Sequence, residues 1–171
     1  MVEPRWLDED EARAWRGYRR MRALLDLQLA RELMRESGLS EPDYDVLSTL
    51  SETPGHQMRL TELAATMLWS KSRLSHHISR MCQRGLVDRA ECLGDARGSV
   101  VVLTPTGLRM IEEAAPGHVA SVRRHMIDLM EPDEIATLAA FSQRIVAHLS
   151  PIVSGAAADE TTKQDSGQAR A

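Results

Sequence analysis

Apolar residues recur at three- and four-residue spacing through the first part of the chain. Trp15, Tyr18, Met21, Leu25, Leu29 and Leu33 are separated by arginines, glutamates and other polar residues. That period is one face of an α-helix. It predicts a single helix from about Asp8 to Glu36, free of proline and with Gly17 as its one glycine. At about 1.5 Å per residue such a helix runs about 43 Å. A small domain needs less, so part of the stripe is expected to meet another chain.

Gly38 stands where a left-handed cap would end that helix. Ser40 then opens a second helix, with Asp43 as its capping-box partner and Tyr44, Val46, Leu47 and Leu50 as its buried face. Pro54-Gly55 marks a loop. Thr61 reads as the cap of a short helix, Glu62 to Met67, with Leu63, Ala64 and Met67 inward. Leu68 and Trp69 make a turn. Ser70 caps a further helix, Lys71 to Arg84, and Gly85 stops it.

The period then changes. Leu86 to Cys92 and Ser99 to Leu103 read as two short strands around a polar tip, Leu93 to Gly98, that holds two glycines. A hairpin is expected. Thr104-Pro105 starts a helix that runs to about Met130, kinked or briefly broken at Pro116-Gly117. A last helix covers about Pro132 to Leu149. From Ser150 the composition predicts disorder.

The order helix, short helix, turn, helix, strand, charged tip, strand is that of a winged helix-turn-helix. The predicted fold class is mainly α (α+β), a winged helix-turn-helix with a two-stranded wing, flanked by N- and C-terminal helices. The expected division is residues 1–38 for the N-terminal helix, 39–104 for the DNA-binding domain, 105–149 for the C-terminal helices and 150–171 for the tail.

Composition narrows the class. The 171 residues are 43% hydrophobic with net charge -4, enough for one domain with a core plus a short tail. No run of about 18 apolar residues exists, so no membrane span is expected. The polar, acidic Met1–Glu11 does not read as a secretory leader. Two cysteines make no disulfide framework, and a cytoplasmic location is expected. The charge is unevenly spread. From Ser70 to Arg109 seven Lys and Arg face three Asp and Glu, a local net of +4 that leaves -8 for the rest. A basic patch on an acidic body suits a protein that presents one face to a polyanion, although cations also cluster on solvated faces.

A helical wheel sharpens this. Leu74, Ile78 and Met81 share one side of the Lys71–Arg84 helix and should face the core. The opposite side carries Ser72, His76, Ser79, Arg80 and Gln83, with Arg73 at its edge. Ser75 and Lys71 lie on the flank near the helix start, next to Ser70. No Asp or Glu occurs from Lys71 to Arg84. Short hydroxyls, an imidazole and cations can bond base edges or phosphates, and a face selected only for solubility would carry glutamate. The second helix of such a pair enters the major groove N-terminal end first. The hairpin tip reaches the adjacent minor groove, where an arginine meets strong negative potential.

Other candidate chemistry is weak. His76 and His77 point about 100° apart and cannot easily share a metal; His77 reads as packing. His118 and His125 lie seven apart with no completing ligands, so no metal or cofactor is expected. Cys82 and Cys92 read as small core residues, with redox sensing as the alternative. No Gly-rich phosphate loop, paired carboxylates or nucleophile signature points to an enzyme. A winged helix that binds protein instead of DNA is the other alternative, against which the acid-free helix argues.

The stretch Trp69 to Gly107 resembles the DNA-binding core of the MarR family of bacterial transcription regulators. Its most specific part is Asp95-Ala96-Arg97-Gly98, followed by a strand and Leu103-Thr104-Pro105-Thr106-Gly107. Gly85-Leu86-Val87 and the flanking helices also match, so the likeness covers about residues 8–149. It implies a homodimer with interlocked terminal helices. It implies a pseudo-palindromic operator in double-stranded DNA near the regulator's own or adjacent genes, mostly repression, and release by a small anionic or phenolic effector. By matching position, Ser72, Ser75, His76 and Arg80 fall where the family contacts bases and nearby phosphates. Arg97 would be the minor-groove arginine and Asp95 would fix the wing. His76 departs from the arginine or other residue of many members, which leaves base preference open. Arg16 and Arg19 resemble positions that touch anionic ligands in some members, and Trp15, Tyr18 and Tyr44 could line an apolar cleft. Surface ion pairs for the arginines and dimer core for Trp15 are the alternative. The cysteine position of peroxide-sensing members, near the N-terminus, is not cysteine here, and little room exists for the extra helix of urate-responsive members.

Overall fold

The computed structural model describes the backbone of residues 4–92 and 95–168, with side chains for all of these except 91–98, 152 and 154–168. The chain divides into two units, Met1–Glu41 with Glu112–Leu129, and Pro42–Ile111 with Met130–Ala171.

The first unit is built on α1, Glu9–Ser37. Asp8 caps it: its carboxylate accepts the Glu11 amide at 2.8 Å, and the Glu11 carboxylate accepts the Asp8 amide at 3.0 Å. This is a full capping box. Gly38 ends the helix at φ 69°, a conformation that a Cβ would strain. The second half of α5, Pro105–His125, completes the unit. Leu33, Leu39 and Ala114 are buried. Buried with them is Glu32, whose carboxylate accepts from Gln28 at 2.8 Å and from Ser121, and lies 3.0 Å from His125 Nε2 and 3.5 Å from Arg124. A Cβ on Gly117 would come within 3.2 Å of Glu36, so glycine lets α5 approach α1 closely.

The second unit begins with α2, Glu41–Glu52, whose Val46, Leu47 and Leu50 are fully buried as the pattern requires. Tyr44, expected on the same buried face, is only half-buried. A 3-10 turn, Pro54–His56, leads into β1, Gln57–Arg59, then α3, Leu60–Thr66, and α4, Lys71–Gln83. Two strands, β2 (Val87–Cys92) and β3 (Asp95–Leu103), form the wing hairpin. The sheet is antiparallel in the order β1-β3-β2, with Met58 opposite Val101 and Arg89 opposite Val101 on the other edge. Last comes α6, Pro132–Gln168.

The two-stranded wing is present, and Gln57–Arg59 pairs with β3 as a third strand of its sheet. Three other expectations are corrected. The β1–β3 pairing holds Arg59 extended and starts α3 at Leu60, so Thr61 lies inside the helix instead of capping it. The polar tip is shorter than expected: β3 begins at Asp95, which pairs with Cys92 past a register shift between Glu91 and Cys92. Leu93 and Gly94 lie outside the described residues. The chain past Ser150 is helical to Gln168; Ala156, Ala157, Ala158 and Glu160 are good helix formers.

Helix α5 also behaves differently from its proline. It continues without interruption through Pro116 and ends at His125, before a 3-10 turn at Ile127–Leu129. Ser121, Arg124 and His125 beyond the proline all meet Glu32 of α1. That anchorage offsets the one backbone hydrogen bond a proline removes. The start of α5 matches expectation. Thr104 Oγ1 accepts the Gly107 amide at 2.9 Å and is positioned to donate to the Gly85 and Leu86 carbonyls at 2.7 and 3.0 Å.

Candidate nucleic-acid interface

Helix α4 is set by local chemistry. Ser70 is the N-cap, its hydroxyl accepting the Arg73 amide at 3.3 Å and lying 3.3 Å from the Ser72 hydroxyl. Leu74, Ile78 and Met81 are fully buried. This leaves Lys71, Ser72, Arg73, His76, Ser79 and Arg80 exposed and Ser75 half-buried. The predicted outward face is therefore the outward face observed. With no acid on it and a helix N-terminus at its leading end, it presents donors and positive potential together.

Several of these side chains are held. Arg73 lies over the Trp69 ring at 4.0 Å from its centroid, a cation–π contact. The Trp69 ring meets His77 edge-on at 5.4 Å. His77, buried as its packing role requires, places Nε2 3.1 Å from Asp43 Oδ1. Its Nδ1 lies 3.0 Å from Arg80 Nη2. The other Asp43 oxygen takes the Arg84 guanidinium at 2.7 Å. Burial holds the His77 imidazole below the ordinary histidine value; the Arg80 and Arg84 charges push the same way and Asp43 opposes them.

From β2, Arg89 reaches Ser75 and Ser79 on α4. The sequence placed Arg89 in the basic stretch without a role, and placed Asp43 only as a capping partner. Both act across long separations, for which the residue pattern carries no signal. Asp95 and Arg97 lie in β3 at the hairpin end, and their side chains are outside those described. Cys82 is a free, half-buried thiol; the Cys92 side chain is not described.

The suggested effector residues divide between the two units. Trp15 stacks on Tyr18 at 5.9 Å, and Arg16 and Arg19 are exposed on α1. Tyr44 instead lines a cleft of about 310 Å³ with Asp45, Ser48, Thr49, Thr66, Met67 and Leu68. Burial, then Asp45 and Glu52, raises the Tyr44 phenol above its ordinary value.

Comparison with known proteins decides the lineage. Residues 37–98, from the end of α1 into β3, match the model of the MarR family. The crystal structure of AbsC, a MarR-family transcriptional regulator from Streptomyces coelicolor, superposes with TM-score 0.82 at 44% identity, covering 85% of this chain and 98% of AbsC. The chain belongs to the MarR family. Another MarR-family regulator from the same organism, Sco3205, was solved in complex with DNA. It matches with TM-score 0.83 at 36% identity over 87% of this chain and 93% of its own. The transcriptional regulator HosA of Escherichia coli is 30% identical over 102 residues, 59% of this chain and 73% of HosA. As a MarR-family member this protein is a transcriptional regulator and not an enzyme. Among the described residues no helix is long and apolar enough to cross a membrane.

Proposed function

We propose that this MarR-family protein is a cytoplasmic homodimer that reads a pseudo-palindromic operator in double-stranded DNA, represses its own or adjacent genes, and responds to a small anionic or phenolic effector. The observation that carries the DNA reading is the acid-free outward face of α4, with Lys71, Ser72, Arg73, His76, Ser79 and Arg80 all exposed behind the Ser70 cap. Ser75 joins them from the flank, and Arg97 and Asp95 extend the footprint to the minor groove and the wing. The solved DNA complex of Sco3205 supports the same use of the fold.

Dimerisation is supported by apolar side chains left exposed on two helices. Trp15, Tyr18, Met21, Leu24 and Leu27 on α1, and Phe141, Ile145, Val146 and Leu149 on α6, are all more than two-fifths exposed. Stripes of that extent mark association surfaces. A two-fold dimer puts its reading helices in successive major grooves when they stand about 34 Å apart. An effector held by Trp15, Arg16, Arg19 or Tyr44 would act by favouring a different helix spacing. Moving the protein from 1:99 to 99:1 between two spacings needs about 5.5 kcal/mol of differential affinity.

Selection of duplexes from a random library, followed by sedimentation of the complex, tests this. The expected product is a pseudo-palindrome with half-site centres about 10 base pairs apart, bound by two chains. Enrichment of no sequence, or binding by a single chain to an asymmetric site, would contradict it.

A further inference from the structure

The buried histidine under the reading helix has a neighbourhood that packing alone does not require. A guanidinium has donors only, so the 3.0 Å contact from Arg80 Nη2 makes His77 Nδ1 the acceptor. The imidazole is then neutral, with its proton on Nε2, and that nitrogen stands 3.1 Å from Asp43 Oδ1, close enough for charge–dipole attraction but outside hydrogen-bond geometry. Asp43 comes from α2 and is fixed on its other oxygen by Arg84. Trp69, from the turn before α4, closes the remaining side with its edge. The charged groups facing His77 are thus Asp43 from α2 and Arg80 and Arg84 from α4 and its C-cap. One buried ring links α2 to an exposed arginine on the outward face.

We propose that His77 is a positioning residue for DNA binding: its neutral ring, oriented by Asp43, holds the Arg80 guanidinium at the outward face of α4, and protonation of the ring releases it. The inference rests on the DNA-reading role of α4 proposed above. A protonated imidazole has N–H groups at both nitrogens. Its Nδ1–H would then meet an Arg80 N–H, donor against donor, and place a third cation beside Arg80 and Arg84. Arg80 would turn away and would have to be ordered again on DNA, which weakens binding. Burial favours the neutral ring, so the transition lies below the ordinary histidine range.

The test is fluorescence-polarisation titration of the full-length protein on its selected duplex from about pH 7.5 to about pH 4.5, which extends below the range where an ordinary histidine titrates. Each variant is compared with wild type at every pH, so any contribution of the exposed His76 imidazole is common to all the proteins and cancels. The expected result is an affinity about tenfold weaker at the acid end, the equivalent of one charge-assisted hydrogen bond. In His77→Asn an amide oxygen replaces Nδ1 and does not titrate, and that loss should disappear. In Arg80→Gln, an exposed site where folding is safe, binding should be weaker at every pH and the acid loss absent as well. An unchanged acid loss in either variant overturns the proposal; should His77→Asn fail to fold, Arg80→Gln decides alone. Absence of selective binding at pH 7.5 would instead remove the DNA-reading role, and the proposal with it.

Discussion

Arg89 on β2 donates to the main-chain carbonyl of Ser75 at 2.7 Å and reaches the hydroxyls of Ser75 and Ser79 at 3.1 and 3.3 Å. One guanidinium nitrogen, Nη2, therefore pins the wing to a full turn of α4, on the flank where the candidate base contacts begin. Arg89→Ala should weaken duplex binding about tenfold by loosening a preorganised surface. The slope of log affinity against log salt should stay unchanged, because a guanidinium spent on the protein displaces no counterion. Titration over a salt series checks this. A slope lower by about one would make Arg89 itself a phosphate contact.

His76 is exposed in the middle of the outward face. His76→Ala should change the ranking among related duplexes, with about 1–3 kcal/mol of discrimination lost at one base position. Competition binding against single-base variants of the selected site measures the ranking. Equal loss on every sequence would leave His76 no part in base reading.

Glu32 binds α1 to the second half of α5. Its hydrogen bonds from Ser121, His125 and Gln28 lower its pKa from 4.5 to about 2. The folded value is depressed, so its contribution is complete above about pH 4.5 and is lost as pH falls toward about 2. Glu32→Gln should lower the melting temperature near neutral pH, with the gap to wild type closing in acid. Thermal melts across pH measure that gap, and a constant gap would show that the carboxylate charge is not its source.

Gly107 sits where the helix after the wing turns past Leu86. A Cβ there would lie 2.1 Å from the Leu86 carbonyl oxygen, which is backbone and cannot swing aside. Gly107→Ala should cost about 1–3 kcal/mol in denaturant unfolding. Gly17→Ala, where a Cβ meets nothing within 4 Å, should be neutral or slightly stabilising.

Much of this protein was legible because its signals are local. The Ser70 cap, the Gly38 and Gly85 stops and the buried Leu74, Ile78 and Met81 each depend on residues within one or two turns. The fold class followed from their order. The missed features depend on distant partners. Arg59 is extended because β1 pairs with β3, and only that pairing moves the start of α3 ahead of Thr61. Asp43 meets Arg84 across 41 positions and Arg89 meets Ser75 across 14, and neither separation leaves a periodic trace. The part of α5 past Pro116 likewise meets a distant partner, Glu32 in α1. The outward face of α4 could be read from a wheel, whereas the side chains that hold it could not.

The most direct test of the central claim is the affinity of the protein for its selected duplex and for a shuffled duplex of the same composition, each over a salt series. The account predicts selective binding that weakens steeply with salt. Arg97→Ala should weaken binding to both duplexes, and Arg73→Ala and Arg97→Ala should each lower the slope by about one. Equal affinity for the two duplexes at low and moderate salt would contradict it.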